Sequence, residues 1–299
     1  MAPPLRDAQK GMAVIAALIV VTVASLTATS ILERQSAWAD TLAGERDRVQ
    51  AKWLLRGGVD WARLILHNDA RNNAVTLKNA IWAQPIAGLE IRRPSDGRIA
   101  YFSGQLEDEQ GKYNVSRLAS GGSIRSEEIA ALSRLLRSLD MPSHLAGEIA
   151  EWVADSRPRS GGEASATPPR DIPDLIGLPG MTPEMIGTLT TYLTVLPADT
   201  ALNVNTAPPE VLSACIPKLD LAQARVLLEE RDRGVWFTSR GDFLNRLEDP
   251  SIARDVAVDV RSNWFKVNGL VKLDHATVPL RALLRRPRDG APLIEWMES

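Results

Sequence analysis

The sequence predicts an α+β fold in which a long N-terminal helix packs on an antiparallel sheet and an all-helical domain is inserted between the strands. Three observations predict it. The chain begins with an apolar run that continues into an amphipathic helical pattern. Strand patterns occur in two groups, one before residue 116 and one after residue 256. The stretch between them has helical periodicity, so the simplest packing joins both strand groups in one sheet.

The apolar run extends from Met12 to Leu32 and contains no charged residue, glycine or proline. At about 1.5 Å of rise per residue, a helix of this length crosses the roughly 30 Å of a bilayer core. A helix satisfies its own backbone groups, so the run is predicted to span a membrane, with its hydroxyls bonded back to the preceding turn. Arg6 and Lys10 outnumber Asp7 before the run, which predicts a cytoplasmic N-terminus and an exported globular part.

Three interpretations of this run stay open. Ala37-Trp38-Ala39 has the small-x-small form of a secretory cleavage site, but the apolar run is longer than a signal sequence needs, and Glu33 and Arg34 interrupt the approach. A plain membrane anchor needs only this length and these flanks. The third is a type IV prepilin leader, which Lys10-Gly11-Met12 resembles because its glycine stands where charged residues give way to the apolar helix.

After Leu32 apolar residues recur mostly at three-, four- and seven-residue steps, which predicts that the helix continues as an amphipathic stem that carries the sheet. Gly57-Gly58 is a candidate kink in it. The apolar positions of this second half are Trp38, Leu42, Val49, Trp53, Leu54, Trp61, Leu64 and Ile65.

Strands and helices follow in that order. A hairpin is predicted around Pro94-Ser95-Asp96-Gly97, and Gly104 to Val115 predicts two further short strands around Gln110-Gly111. The first hairpin uses Leu89–Arg92 and Ile99–Phe102, and the C-terminal strands are Phe265–Leu273, Val278–Leu284 and Pro292–Met297. Helices are predicted at Glu127–Leu139, Leu145–Val153, Pro183–Leu196, Pro208–Ile216 and Leu221–Arg233, and from Gly241, with an exposed loop from Ser156 to Pro173.

Composition excludes several classes of function. The 299 residues carry a formal net charge of −2, which gives no long-range attraction to nucleic acid or acidic lipid. Cys215 is the only cysteine, so no internal disulfide can form, and its apolar neighbours predict a buried small hydrophobe. No hydrolase, phosphate-loop or zinc-protease motif is present, so the protein is predicted not to be an enzyme. The acidic cluster Glu107-Asp108-Glu109 fits an exposed turn better than a catalytic pair.

Two stretches of the helical block, Asp174–Pro183 and Leu202–Leu212, resemble helix-hairpin-helix elements of ComEA-like DNA-binding modules. This resemblance implies an alternative function, a membrane-anchored DNA-binding protein of a competence-like system. Leu219 and Asp220 stand where a phosphate-binding turn needs glycines, and Glu184 follows the first hairpin. Without a basic patch little counterion release drives binding, so no nucleic acid is expected and the hairpins are interpreted as packing corners.

Residues spread over most of the chain resemble the GspK-type minor pseudopilins of type II secretion. In the family's order they are Lys10-Gly11-Met12, Asp108–Val115, Ile149–Asp155, Leu196-Pro197, Leu202–Pro208, Arg231 and Phe243-Leu244, with Asn203-Val204-Asn205-Thr206-Ala207 the most specific. The resemblance implies a pilin-like fold with a large helical insertion. It also implies a tip role in a short periplasmic pseudopilus, in a complex with two other minor pseudopilins and with the major pseudopilin below.

The resemblance further implies how the chain is processed and divided. Prepilin peptidase would remove the leader 1–11 by cutting between Gly11 and Met12, and Met12 would then be N-methylated. The transmembrane half of the stem would be 12–32, the rest of the stem with the first strands 33–115, the helical domain 116–256 and the last strands 257–299. The protein would lie in the inner membrane as a single-pass protein with its globular part in the periplasm, in contact with the inner-membrane assembly platform.

Two further expectations come from the same family. Major pilins carry a glutamate at the fifth mature position, where this chain has Ala16, and a tip subunit has no subunit above it that needs this charge.

No cofactor is required, but the family binds calcium in its helical domain. Here calcium is possible at Asp155 and Glu163, with Asp171 and Asp174 as further ligands, although calcium prefers six to eight oxygens.

Overall fold

The computed structural model describes residues 5–93, 97–157, 167–197 and 200–299, with side chains at position 12 and from position 14 onward. The helices are α1 (Leu5–Asn72), α2 (Ser126–Ser138), α3 (Leu145–Asp155), α4 (Pro183–Tyr192), α5 (Pro209–Cys215), α6 (Leu221–Asp232) and α7 (Arg240–Asn245). The strands are β1 (Ile86–Arg92), β2 (Ile99–Asp108), β3 (Tyr113–Asn114), β4 (Ala119–Ser120), β5 (Ser123–Ile124), β6 (Leu193–Thr194), β7 (Leu202–Asn203), β8 (Val258–Asp259), β9 (Trp264–Lys272), β10 (Thr277–Arg285) and β11 (Leu293–Glu298).

Five of these strands form one antiparallel sheet in the order β1-β2-β9-β10-β11. The central pair, β2 and β9, aligns Tyr101 with Lys272 and Asp108 with Phe265. The first two strands precede the helical domain in sequence and the last three follow it, so the predicted α+β fold is confirmed.

One face of the second half of α1 packs on this sheet. Ala51, Leu55, Val59, Ala62 and Leu66 are each at most 2% exposed and belong to the same hydrophobic cluster as the sheet side chains. Their steps of three and four residues place them on one side of a helix.

Gly58 is explained by this packing. The helix is continuous through both glycines, and a Cβ atom at Gly58 would lie 2.7 Å from the ring of Phe102. The glycine therefore allows the close approach of an aromatic ring rather than interrupting the helix.

The helical domain lies at the far end of the sheet from the apolar run. Asp47, nearer the run, accepts a hydrogen bond from the backbone N–H of His275, whereas Asp69, in the last turns of α1, pairs with Arg286. The chain leaves the sheet at the end of β2 and returns at the start of β9, beside Asp69 and Arg286. A separate hydrophobic cluster fills this domain.

Two sequence predictions about local elements differ from the structure in detail. Strand is present on both sides of Gln110-Gly111, but Gly104 to Asp108 is the second half of the longer β2, and Glu109–Gly111 is a 3-10 helix. The strand after it, β3, pairs with β6 and not with β2. The helix predicted to reach Leu196 ends at Tyr192, because Leu193-Thr194 pairs in parallel with β3. Half of the predicted loop, 158–166, lies outside the described residues, and a 3-10 helix, Ile172–Gly177, begins at its end.

Candidate functional site: stem faces and domain joint

The apolar run is the first half of α1. The helix contains a window of mean hydropathy 2.3, none of it buried by the rest of the chain, and is long and apolar enough to cross a membrane. The hydroxyls of Thr22, Thr27 and Thr29 donate to carbonyl oxygens four residues earlier at 2.7 to 3.0 Å, as the sequence predicts. The bond between Gly11 and Met12 falls within the helical backbone, and its predicted cleavage and the methylation of Met12 stay predictions.

A second apolar face runs along α1 beyond the apolar run. We name it the stem stripe, and its members, which are 48 to 78% exposed, are Trp38, Leu42, Val49, Trp53, Trp61 and Leu64. On a helix with 3.6 residues per turn, Val49, Trp53 and Leu64 lie away from the buried Leu55 and Val59. Trp61 lies at the edge of the sheet-packed face, where it lines a pocket with Phe102. The sequence predicted an amphipathic stem that carries the sheet. Two of its predicted apolar positions, Leu54 and Ile65, pack against the sheet cluster, whereas the members of the stem stripe do not belong to it. Smaller or intervening apolar residues meet the sheet, which leaves the stripe uncovered by the described part of the chain.

A buried polar cluster joins the helical domain to the sheet. We name it the domain joint, and its members are Asp69, Thr76, Asp108, Asn203, Thr206, Ser262 and Arg286. Burial raises the pKa of the Asp108 carboxyl, while hydrogen bonds from Ser262, Thr206, Gln110 and Asn203 oppose this rise. The joint therefore holds an acid in a water-poor place by surrounding it with donors.

Arg286 completes the joint on the stem side. Its guanidinium donates to Asp69 Oδ2 at 2.7 Å and Thr76 Oγ1 at 2.8 Å, and also to the backbone oxygen of Ser262. The side chain is 4% exposed and lies over the ring of Phe265, 4.6 Å from its centroid. Thr76, Ser262 and Arg286 were missed in the sequence, because no spacing or motif connects residues about 200 positions apart.

The sequence motif at 203–207 is explained by these contacts. Asn203 donates to Asp108 at 3.0 Å and to Ser262 at 2.8 Å, and Asn205 exchanges two hydrogen bonds of 2.9 Å with the backbone of Phe237. The buried Arg231 donates to two backbone oxygens of the motif, those of Val204 and Ala207. The motif is thus structural, and it fixes both the joint and the turn that carries Phe237.

The 108–115 stretch meets the motif directly. A Cβ atom at Gly111 would lie 2.8 Å from Thr206 Oγ1 and 3.0 Å from the Thr206 carbonyl carbon, so only glycine fits there without displacement. Asn114 accepts hydrogen bonds from the backbone N–H of Ser116 and of Leu196, both at 3.1 Å. Tyr113 is 1% exposed and its hydroxyl donates to Glu128.

The acidic cluster is not the exposed turn that the sequence predicted. Asp108 and Glu109 are buried, because Asp108 enters the joint and Glu109 accepts a very short hydrogen bond from Thr194. Lys112 lies 2.7 Å from Glu109 and 2.9 Å from Glu107. Burial lowers the pKa of Lys112, but these two carboxylates outweigh burial and raise it to about 12.

Two of the four predicted calcium ligands, Asp171 and Asp174, bind other groups of the chain. Asp171 accepts hydrogen bonds from the buried Lys266 and from Arg281, and Asp174 caps the backbone N–H groups of residues 170 and 171. Glu163 lies outside the described residues, and the described ones contain no group of three His, Cys, Asp or Glu side chains placed for a metal ion. Calcium binding at Asp155, Glu163, Asp171 and Asp174 stays a prediction.

The second hairpin is α5, a turn and α6. Lys218 occupies a left-handed backbone position in this turn (φ 66°), and Leu219 is buried beside it. Asp220 caps α6 through its own carboxylate, which accepts from the backbone N–H of Gln223 at 2.8 Å. A carboxylate thus occupies the position where a phosphate would bind, which fits a packing corner.

Cys215 packs against the helical core, and burial raises the pKa of its thiol to about 12.

A stem helix, an antiparallel sheet supplied by both sides of an insertion, and an inserted helical domain joined at the far end of that sheet define a pilin-like protein. Comparisons with known proteins narrow this class. Two family models, both described as type II secretion system (T2SS), protein K, match residues 111–198 and 202–267 and together cover just over half of the chain. The chain belongs to this family, the GspK-type minor pseudopilins of type II secretion.

Relatives align over nearly the whole chain. Type II secretion system protein K of Pseudomonas aeruginosa is 26% identical, covering 96% of this chain and 91% of that protein. The protein K of Klebsiella pneumoniae is 27% identical, covering 93% of each. In the crystal structure of the GspK-GspI-GspJ complex from enterotoxigenic Escherichia coli, one chain matches with a TM-score of 0.65 at 19% identity, covering 85% of this chain and 97% of that one. This match shows the same fold.

Proposed function

We propose that this protein caps the tip of a pseudopilus in the periplasm. It does so in complex with two other minor pseudopilins, and it helps to initiate the assembly that exports folded proteins across the outer membrane. Its role is structural, and no catalysis is proposed. The observation that carries the proposal is the stem stripe, which extends the apolar run into the part of α1 that lies beside the sheet.

The stem stripe supports an interface with other stems. Exposed apolar surface of this extent is typical of a site that binds another protein. Its steps of three, four, seven and eight residues suit the ridges of a second apolar helix. Because Val49, Trp53 and Leu64 lie away from the sheet-packed face, a neighbouring stem can bind them without displacing the sheet. We assign this surface to the two partner minor pseudopilins and to the major pseudopilin below them.

The position of the helical domain supports the cap. The domain is attached at the end of the sheet farthest from the apolar run. A further subunit stacked along the stem direction would therefore meet this domain. The apolar run holds Ala16 where a filament-forming subunit would need an acid to pair with the amine of the subunit above.

The membrane arrangement belongs to the same proposal. The helix 12–32 holds the protein in the inner membrane, and the globular part lies in the periplasm. Prepilin peptidase cuts after Gly11 and Met12 is methylated, and the assembly platform then moves the subunit into the pseudopilus. N-terminal mass spectrometry, with and without coexpressed prepilin peptidase, tests this arrangement. A methylated start at Met12 that depends on the peptidase is expected, whereas a start at Asp40 would indicate a soluble exported protein.

A co-purification experiment tests the stripe. Full-length protein is coexpressed with the two other minor pseudopilins, and their recovery on a tag at its C-terminus is measured. The double variant Val49→Ser/Trp53→Ser is expected to lose most of the partners, because two exposed apolar side chains leave the interface without changing the sheet-packed face. Lys52→Ser, an exposed neighbour on the same helix, is the matched control and should keep them. Equal recovery with both variants would contradict the interface.

A further inference from the structure

A neutral groove lies where α1 ends against the helical domain. Its volume is about 810 Å³, and its lining includes Asn68, Asn72, Asn79, Ile81 and Trp236. Among the described residues that line it, Asp69 is the one charged residue, and Arg286 pairs with this carboxylate at 2.7 Å. The groove therefore offers no net charge to attract an ion, which favours a neutral occupant.

The groove carries unused hydrogen-bonding groups. The side chains of Asn68, Asn72 and Asn79 are exposed and make no hydrogen bond to the described part of the chain. Each carboxamide has an acceptor oxygen and two N–H donors, so each can bond both the C=O and the N–H of a peptide group. The groove thus presents three paired donor-acceptor sites.

The spacing of two of these sites matches an extended peptide. Asn68 and Asn72 are four residues apart on a helix, which places their Cβ atoms about 5–6 Å apart. Peptide groups along one edge of a strand repeat every second residue, or about 6.7 Å, and the freedom of the side chains covers the difference. The chain itself already uses this pairing, since Asn205 bonds both the N–H and the C=O of Phe237.

Apolar surface lies beside these sites. Ile81 is 83% exposed and Trp236 is 41% exposed, and both line the groove. Trp236 immediately precedes the buried Phe237 that Asn205 holds, so its position is fixed by the motif at 203–207. An extended segment whose backbone meets the asparagines would place an apolar side chain against this surface.

We propose that this groove binds an extended, uncharged peptide segment of another protein through its backbone and one apolar side chain. The carboxamides of Asn68 and Asn72 pair with successive peptide groups on one edge of the segment. Ile81 and Trp236 cover its side chain. This inference goes beyond the proposed tip role and does not depend on it, because the groove residues do not belong to the stem stripe.

Fluorescence anisotropy of a labelled peptide tests the groove. The probe is a capped, uncharged heptapeptide of alternating threonine and valine or leucine, titrated with the full-length protein in lipid nanodiscs. Asn68→Ala/Asn72→Ala is expected to weaken binding about tenfold, the sum of a few neutral hydrogen bonds, and Trp236→Ala by a similar factor. Asn245→Ala, an exposed asparagine outside the groove, should leave binding unchanged.

A second probe separates the backbone from the side chains. The same peptide, N-methylated at its three central residues, keeps its side chains but loses the backbone donors, and it should not bind the wild-type protein. This comparison needs no variant, so it stands even if a substitution unfolds the chain. The proposal is overturned if no peptide binding is seen at 1 mM, or if the wild type and all variants bind the peptide equally. It is also overturned if the methylated peptide binds as well as the parent peptide. Chitotetraose, a neutral sugar, is the remaining probe, and its binding to the groove in place of the peptide would likewise overturn the proposal.

Discussion

Asn203 donates a hydrogen bond of 3.0 Å to the carboxylate of Asp108, and this bond joins the helical domain to the end of strand β2. Both side chains are buried, and they are 95 residues apart in the sequence. The bond links the two stretches of sequence that most resemble the family. We infer that these stretches fix how the helical domain sits on the pilin-like part.

Removing the Asn203 carboxamide should destabilise the globular part. In Asn203→Ala, Asp108 and Ser262 each lose a hydrogen-bond partner inside a buried cluster, which costs about 2–3 kcal/mol. The midpoint of thermal unfolding, followed by near-UV circular dichroism in detergent, should fall by several degrees. Asn245→Ala removes an exposed carboxamide and should leave the midpoint unchanged. A stable Asn203→Ala variant would mean that the joint is not a source of stability.

The pH dependence of stability should reveal the buried acid. Burial raises the pKa of Asp108, so the native state binds this proton more tightly than the unfolded chain does. The contribution of Asp108 to the free energy of unfolding therefore falls as pH rises from the ordinary aspartate pKa to the raised one. Asp108→Asn cannot ionise, so the stability of the wild type relative to this variant should decrease across that window.

Asp232 gives a control of opposite sign. Partial burial opposes ionisation of Asp232, but hydrogen bonds from Arg231 and Lys78 outweigh it and lower its pKa. The wild type should therefore gain stability relative to Asp232→Asn as pH rises from the lowered pKa to the ordinary value. Chemical denaturation of the wild type and both variants across acidic pH measures the two trends. Trends of the same sign would contradict the assignment of Asp108.

Gly111→Ala should be destabilising by about 1–3 kcal/mol, because the new methyl group would meet both the side chain and the backbone of Thr206. Gly147→Ala is the matched control, since nothing lies within 4 Å of its Cβ position in α3. Alanine in a helix interior is favoured over glycine by about 0.5–1 kcal/mol, so this control should be slightly stabilised. Thermal midpoints of opposite shift are expected, and a neutral Gly111→Ala would show that Thr206 can move.

The Asp171 carboxylate should matter to stability and not to calcium. In Asp171→Ala the buried Lys266 loses its partner, and breaking a buried pair costs about 3–5 kcal/mol. Because Lys266 and Arg281 already bind the carboxylate, any shift of the thermal midpoint on adding Ca²⁺ should be the same in the wild type and in the variant. A calcium shift that disappears in Asp171→Ala would make Asp171 a ligand.

The stem shows how far the sequence could predict packing. The periodicity of large apolar residues predicts a helix, and α1 is one, but the periodicity does not show which face of the helix meets the sheet. The sheet packs on Ala51, Leu55 and Val59, and a Cβ atom at Gly58 would lie 2.7 Å from the Phe102 ring, so the contact at this position needs glycine. Amphipathic periodicity reports that a face is covered, and it does not report whether the same chain or a partner covers it.

The sequence by itself determined the apolar run, the order of helices and strands, the joining of two strand groups in one sheet and the family. These features follow from local composition, periodicity and short motifs, which adjacent residues carry. Only the tertiary structure decided which face of α1 meets the sheet, which polar residues form the domain joint and where the neutral groove lies. Asp69, Asp108, Asn203 and Arg286 meet only after the chain has folded, because contacts across one to two hundred residues leave no periodic trace in the sequence.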